Sequence, residues 1–184
     1  INMGNSFASL DAKAKQEMID NSRYDLLEES WWADVYYDAR QCGNRMGITL
    51  DTIYFSGFCS QGDGACFAGD YRYRKNSIME IKKYAPSDTI LHEIAIALAQ
   101  IQKPTCYGLV ATITPKGRYN HEHSTLIEVN DEHNQTSPSE KQEEALMHIL
   151  RNFMRWIYSC LEKEHDYLTS DEAVSDYLLN NYFD

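Results

Sequence analysis

His121 and His123 flank Glu122, and two imidazoles at this spacing share a face wherever the chain is extended, so both would reach one divalent metal from the same side. A third ligand would have to come from elsewhere, and His92, Asp63 and His133 are residues of the right type. The same pair beside a turn is common in proteins that bind no metal. A second stretch with chemical potential is Ser60-Gln61-Gly62-Asp63-Gly64, whose glycines permit positive φ and would aim backbone N–H groups or the Asp63 carboxylate at a ligand or partner. It is no phosphate loop, because no Gly-Lys-Ser/Thr follows and the next element reads as a strand. Nor is it a calcium loop, which needs spaced oxygen ligands and a closing Glu. The plainer reading is a hairpin turn with structural glycines.

Nucleophilic chemistry has little support. Cys42, Cys59, Cys66, Cys106 and Cys160 are odd in number, widely spaced and set among apolar or aromatic neighbours, which predicts reduced core thiols. No CxxC pair supports a zinc knuckle or a thioredoxin-type site. A pair such as Cys59 or Cys66 with His121 would need an exposed, electropositive thiol, whereas both cysteines sit in aromatic strands. No cofactor is expected. The adjacent pairs Glu28-Glu29 and Glu143-Glu144 point in different directions on helices and read as solvated surface. Trp31-Trp32 opens a helix on this reading, and since successive helical residues cannot both face one core, Trp31 is a candidate interface anchor; packing on a neighbouring helix is the alternative.

The elements that must position these residues are legible from periodicity. Leu10, Ala14, Met18 and Ile19 recur at helical spacing behind Ser9, a good N-cap, with Asp11 in the first turn. Trp32, Val35, Tyr36, Ala39, Cys42 and Met46 mark a second helix ending near Gly47. Residues 48–59 and 65–73 are β-branched and aromatic and flank the Gly-Asp-Gly turn, giving one hairpin. Ser77 opens a short helix, and Pro86-Ser87-Asp88 opens another through Leu91, Ile94, Ala95, Leu98 and Ile101, stopped by Pro104. Residues 106–114 and 124–129, joined through Pro115-Lys116-Gly117-Arg118, form a second hairpin. Ser137, Pro138 and Glu140 predict a capping box for a long helix of about 25 residues, or roughly 37 Å, whose apolar stripe includes Leu146 through Leu161. Thr169 with Glu172 predicts a cap for a last helix through Val174, Tyr177, Leu178 and Tyr182.

The expected fold is therefore α+β: a four-stranded antiparallel sheet made of two hairpins and packed with helices, plus the long helix and a final short one. Its organisation reads as an α+β body over 1–129, a loop over 130–138 and an acidic helical arm over 139–184 that packs on the body, a single domain overall. The long apolar stripe would also suit a helix-mediated homodimer. No apolar run is long enough to cross a bilayer, and residues 1–10 lack a basic region followed by an apolar one, so a protein of the cell interior with no membrane partner is expected.

Charge is unevenly placed. Of the net −11, residues 1–127 carry 15 acidic and 13 basic side chains, and residues 128–184 carry 13 acidic against 4 basic. Such a surface repels phosphate backbones, which excludes direct nucleic-acid binding through it and favours a basic protein surface; Glu140, Glu143, Glu144, Glu162 and Glu164 are the candidate contacts. A solvated face that keeps the protein in solution is the competing account. Arg72, Arg74, Lys75, Lys82 and Lys83 form a modest basic cluster, expected to be a charged strand edge that prevents association.

The run Tyr54-Phe55-Ser56-Gly57-Phe58-Cys59-Ser60-Gln61-Gly62-Asp63-Gly64-Ala65-Cys66-Phe67, together with Trp31-Trp32, the helix over 36–47, Gly117-Arg118-Tyr119-Asn120-His121 and Arg155-Trp156-Ile157-Tyr158, resembles a widespread phage and prophage family. Its members are generally described as hypothetical proteins, occasionally as antitoxins. The resemblance implies a phage accessory gene acting in the cytoplasm of a bacterial host, and it carries no catalytic residues across. Three functions follow as expectations. The first is a non-enzymatic acidic protein that inhibits a host defence system, of anti-CRISPR or antirestriction type, by binding the basic surface of a host protein such as a CRISPR or restriction nuclease. The second is an antitoxin that neutralises a co-encoded toxin. The third is a metal- or small-ligand-binding enzyme that uses the Gly-Asp-Gly tip with His121 and His123, which requires the two hairpins to meet at one end of the sheet.

Overall fold

The computed structural model describes residues 7–133 and 137–181. Residues 134–136 of the expected loop and Tyr182 of the expected last helix lie outside them. Six helices, α1 (Ala12–Ser22), α2 (Ala33–Met46), α3 (Ser77–Tyr84), α4 (Thr89–Gln102), α5 (Glu140–Leu168) and α6 (Asp171–Asn181), accompany four strands, β1 (Ile48–Phe55), β2 (Ala65–Arg72), β3 (Leu109–Pro115) and β4 (Thr125–Asp131). The fold is α+β, with the long C-terminal helix and final short helix that the apolar stripe and caps predict. The chain forms two compact units, one of residues 35–160 and one made from both ends, residues 1–34 with 161–184.

In the unit of residues 35–160, the strands form one antiparallel sheet in the order β1-β2-β3-β4. Neighbouring strands all run antiparallel, so the β1–β2 turn and the β3–β4 turn emerge at the same end. A bulge between Leu50 and Thr52 shifts the β1 register by one residue, which keeps Ile53 on the buried side with Ile48 and Leu50 although the parity of the numbering has changed. Phe67, Tyr71, Leu109, Ala111, Ile113 and Ile127 are buried on the other strands. The cross-strand row Thr49, Asp70, Thr112 and Glu128 is exposed, as expected of a sheet with one wet face. Phe153 of α5 meets Phe67 edge-on at 6.1 Å between ring centres.

Gln102, at the end of α4, is completely buried. Its Nε2 donates to the Leu109 carbonyl at 2.7 Å and to the Tyr71 hydroxyl at 3.1 Å, and its Oε1 accepts from the Leu109 N–H at 3.1 Å. A buried amide with every group satisfied is a rigid clamp between helix and sheet. Asp88 likewise serves twice, capping α4 through the Leu91 N–H at 3.0 Å and accepting from Trp156 Nε1 at 2.7 Å.

Three caps differ from expectation. At α1 the cap is Asp11, which accepts from the Ala14 N–H at 2.8 Å, while Ser9 closes a 3-10 turn over Phe7–Ser9. At α5 the reciprocal box is Ser139 with Gln142: Ser139 N–H donates to Gln142 Oε1 at 2.9 Å and Ser139 Oγ accepts from Gln142 N–H at 3.3 Å, so Ser137 and Pro138 precede the helix. At α6 Ser170 Oγ accepts from the Ala173 N–H at 3.2 Å, because the Thr169 hydroxyl donates instead to the His165 carbonyl at 2.8 Å.

In the terminal unit α1 and α6 share a cluster of Phe7, Ile19, Val174 and Leu178, with Leu10, Met18, Leu26, Tyr177 and Leu179 packed around it. Arg23 ties the unit together by pairing with Asp20 and Asp171 and donating to the Thr169 carbonyl at 2.8 Å. Among the described residues no helix is long and apolar enough to cross a membrane.

Candidate functional site

The two turns at the common end of the sheet carry the residues singled out for chemistry. Residues 60–64 form a loop closed by Asp63, whose Oδ2 accepts from the N–H groups of Cys59 at 3.0 Å and Ser60 at 2.7 Å. That oxygen of the Asp63 carboxylate is spent on its own loop. The other half of the loop is held from α5 and β1: Tyr158 donates its hydroxyl to the Gly57 carbonyl at 3.0 Å, and Phe58 packs between Phe55 and Tyr158 with ring centres 6.0 and 5.4 Å away.

His121 and His123 lie in the turn before β4 and outside any strand. The turn nevertheless brings the imidazoles together, with ring centres 5.4 Å apart and planes 24° from parallel. Glu122, between them, is buried. Its Oε1 accepts from Arg155 Nε of α5 at 2.9 Å, its Oε2 is 3.1 Å from His121 Nδ1, and His123 Nε2 is 3.8 Å from Oε1. A buried carboxylate held this way fixes the turn on α5, as breaking such a pair leaves an uncompensated charge. His121 Nδ1 is also 3.2 Å from the His123 N–H, so it accepts that bond when unprotonated at Nδ1 and donates to Glu122 when protonated there.

The turns touch. A Cβ on Gly64 would stand 2.9 Å from His121 Cδ2, so only glycine lets the imidazole lie against the loop, and Asn120 Nδ2 donates to the Phe55 carbonyl at 3.0 Å. Gln61, Gly62, Tyr119, His121 and Ser124 line a cavity of about 280 Å³ between them. The structure thus unites Gln61, Gly62 and Gly64 with His121, and seats His123 and Glu122 beside them.

The other metal-ligand candidates are placed elsewhere. His92 Nε2 is 2.8 Å from the Ala85 carbonyl, between α3 and α4, and His133 follows β4 at the opposite end of the sheet. Among the described residues no group of three or more His, Cys, Asp or Glu is arranged to hold a metal ion. The thiols are less uniform than predicted: Cys42 and Cys66 are buried, Cys160 is half-buried, and Cys59 and Cys106 are exposed, because the strands end at Phe55 and begin at Leu109. Burial pushes the Cys66 thiol up to about 11 and the Cys42 thiol up to about 12, which keeps both protonated and unreactive at neutral pH. Glu122 and Arg155 are the members of this site that sequence reading missed. A charged residue between two histidines gives no sign that it will be the buried one.

The acidic candidates fall in two places. Glu140, Glu143 and Glu144 occupy the first turns of α5 in the unit of residues 35–160, where the helix dipole favours them. Glu162 and Glu164 belong to the terminal unit. Counted by unit, residues 35–160 hold 14 acidic and 13 basic side chains, whereas the terminal unit holds 14 acidic against 4 basic. Every described carboxylate of the terminal unit is exposed except half-buried Glu164, and Tyr24 and Tyr167 are 66% and 59% exposed among them. Trp31 and Trp32 stand in a turn just before α2 and not in the helix; both are half-buried, and Trp31 packs edge-on against Trp32 and His165. The basic cluster is no strand edge either, since β2 is an interior strand, and Arg72 pairs with Glu132 and Arg74 with Glu80.

A family model described as a domain of unknown function, DUF8835, matches residues 31–171. No curated protein and no solved structure matches the chain.

Proposed function

The chain belongs to the DUF8835 family, and on that premise we propose that it is a non-enzymatic interaction protein whose acidic terminal unit occupies a basic, nucleic-acid-handling surface on a partner protein. The observation that carries this reading is the segregation of charge: a net −10 resides in the unit built from the two ends of the chain and a net −1 in residues 35–160. Charge needed only for solubility has no reason to sort by folding unit. Exposed carboxylates interspersed with Tyr24 and Tyr167 offer a basic groove the two things nucleic acid offers it, negative charge and aromatic faces. With the resemblance to phage and prophage proteins, the acidic surface supports a setting of host-defence inhibition, the partner being a nuclease of CRISPR or restriction type. The test is a pull-down with the full chain at about 50 mM and about 0.5 M salt, with competing single-stranded DNA. The expected partner binds nucleic acid, is released by salt and by the competitor, and is lost when Glu28, Glu29, Glu162 and Asp176 are changed to Lys. Among the described residues, none of those four takes part in an ion pair. Retention by the charge-reversed protein would exclude the acidic-surface reading, and capture of a small co-encoded protein that binds no nucleic acid would favour an antitoxin.

A second reading is supported by the contact of the two hairpin turns. The cavity they share is a small-ligand site formed by two turns that hydrogen bonds fix to each other and to the strands, in the unit of residues 35–160.

A further inference from the structure

We infer that the hairpin-tip cavity takes a small ligand that joins a phosphate group to a planar ring, the chemistry of a nucleoside monophosphate. The inference rests on reading the tip as a ligand site and assigns its ligand class. Three observations carry it.

The first is the local charge. Lys116 and Arg118 are exposed in the β3–β4 turn, and neither has an ion-pair partner among the described residues. Arg155 of α5, paired with Glu122 beneath the His121–His123 turn, keeps its side chain part-exposed. Two carboxylates of the turns, Asp63 and Glu122, are engaged within the protein, the one by its own loop and the other by Arg155 and the histidines. In a chain of net −11, the β3–β4 turn thus offers an approaching anion two cations that no carboxylate among the described residues pairs.

The second is the aromatic wall. Tyr119 is 60% exposed, and its Cδ1 would be 3.8 Å from a Cβ on Gly62, so the ring borders the cavity across a glycine that leaves room for a flat group. A ring presented between cations is the arrangement on which bases stack.

The third is the donor set and size. Gln61, Ser124 and His121 supply an amide, a hydroxyl and an imidazole to the lining, all able to donate to phosphate oxygens. The cavity, about 280 Å³, is a shallow, open one that leaves a ligand of this size in reach of the turn carrying Lys116 and Arg118. A metal-bridged ligand is not required by this arrangement, since the cations are side chains.

The experiment is a titration of the full chain with adenosine monophosphate, adenosine, inorganic phosphate and, as an uncharged non-aromatic probe, glucose, following the resonances of Gly62, Tyr119 and His121. Adenosine monophosphate is expected to shift all three and to bind at least about tenfold more tightly than adenosine or phosphate alone, with affinity falling as salt rises. Arg118→Ala and Tyr119→Ala are each expected to weaken it about tenfold; both side chains are exposed, so the fold is undisturbed, and unchanged spectra away from the tip confirm it. Equal binding of adenosine and its monophosphate, or tighter binding of glucose, would overturn the phosphate assignment and leave the tip a ligand site. Silence of all three resonances toward every probe would overturn the inference and the ligand-site reading together.

Discussion

The unit of residues 35–160 and the unit formed by the two ends of the chain solve the problem of staying folded in opposite ways. In the first, a sheet is covered by helices, Phe67, Phe153, Ile113 and Leu150 are fully buried, and the polar groups left inside are clamped, Gln102 by Leu109 and Tyr71, Glu122 by Arg155. Its net charge is −1, so almost no self-repulsion opposes the packing. In the second, α1 and α6 share a small cluster and carry a net −10, with Arg23 bridging Asp20 and Asp171 against that repulsion. The difference teaches where function and stability are free to diverge: a surface that keeps so much like charge is held by few contacts, and it is the surface proposed to meet a partner.

The sharpest way to break this comparison is to cut both cores. Phe153→Ala is expected to cost about 4 kcal/mol, since the ring is fully buried between Phe67 and Trp156 and its removal leaves a cavity the sheet cannot close. Leu178→Ala in the terminal cluster is expected to cost about 2 kcal/mol, because two packed helices collapse around a void more readily than a sheet covered by helices. Denaturant titration read by hydrogen exchange separates the two: Phe153→Ala lowers protection across β1 to β4, and Leu178→Ala lowers it in α1 and α6 alone. Equal and global losses would show that the chain unfolds as one unit.

A smaller cut sits at Gln102. Gln102→Leu is expected to destabilise the sheet unit by about 2–3 kcal/mol, since it leaves the Leu109 N–H and carbonyl buried without partners, whereas Gln102→Glu adds a buried charge and costs more. This residue also marks the limit of what the sequence discloses. Apolar patterning and cap residues located the six helices and four strands of the described residues, and the turn residues made the two hairpins plain. Polar residues with buried roles were not legible, because Gln102 follows Ile101 as any solvated helix end would and Glu122 lies in a run of polar turn residues. Caps were misplaced by one or two residues for a related reason: Ser9, Ser137 and Thr169 are as good in type as Asp11, Ser139 and Ser170, and only the tertiary path decides which hydroxyl or carboxylate meets the N–H groups. The tip site was half legible. The Gly-Asp-Gly loop and the His pair were visible as motifs, but their contact depends on strand order, and Arg155 comes from a helix more than thirty residues away. The acidity was read by chain thirds, which hides that the first thirty-four residues belong with the last helix.

The smallest expected effect distinguishes the units by the side of the pH scale on which each loosens. Burial pushes the Tyr71 hydroxyl up to about 12 and the Cys66 thiol up to about 11 from unfolded values of 10.0 and 9.0. A raised acid contributes stability while protonated, so these groups support the sheet unit fully below about pH 9 and withdraw that support as pH climbs through 11 and 12. The Asp20 carboxyl is shifted the other way, held below its ordinary 3.8 first by the hydrogen bond from Arg23 and then by that from Gln16. Its contribution is present above 3.8 and disappears as pH falls through the lowered value, and since the group is exposed the effect is slight and shrinks with salt. Acidification should therefore raise hydrogen exchange in α1 and α6 while β1 to β4 stay protected, and alkali should release tyrosinate absorbance together with loss of the sheet. Arg23→Gln should flatten the acid response and leave the alkaline one unchanged; an alkaline response altered by that change would mean that the two units share one transition and that the charge at the chain ends is part of what holds the sheet.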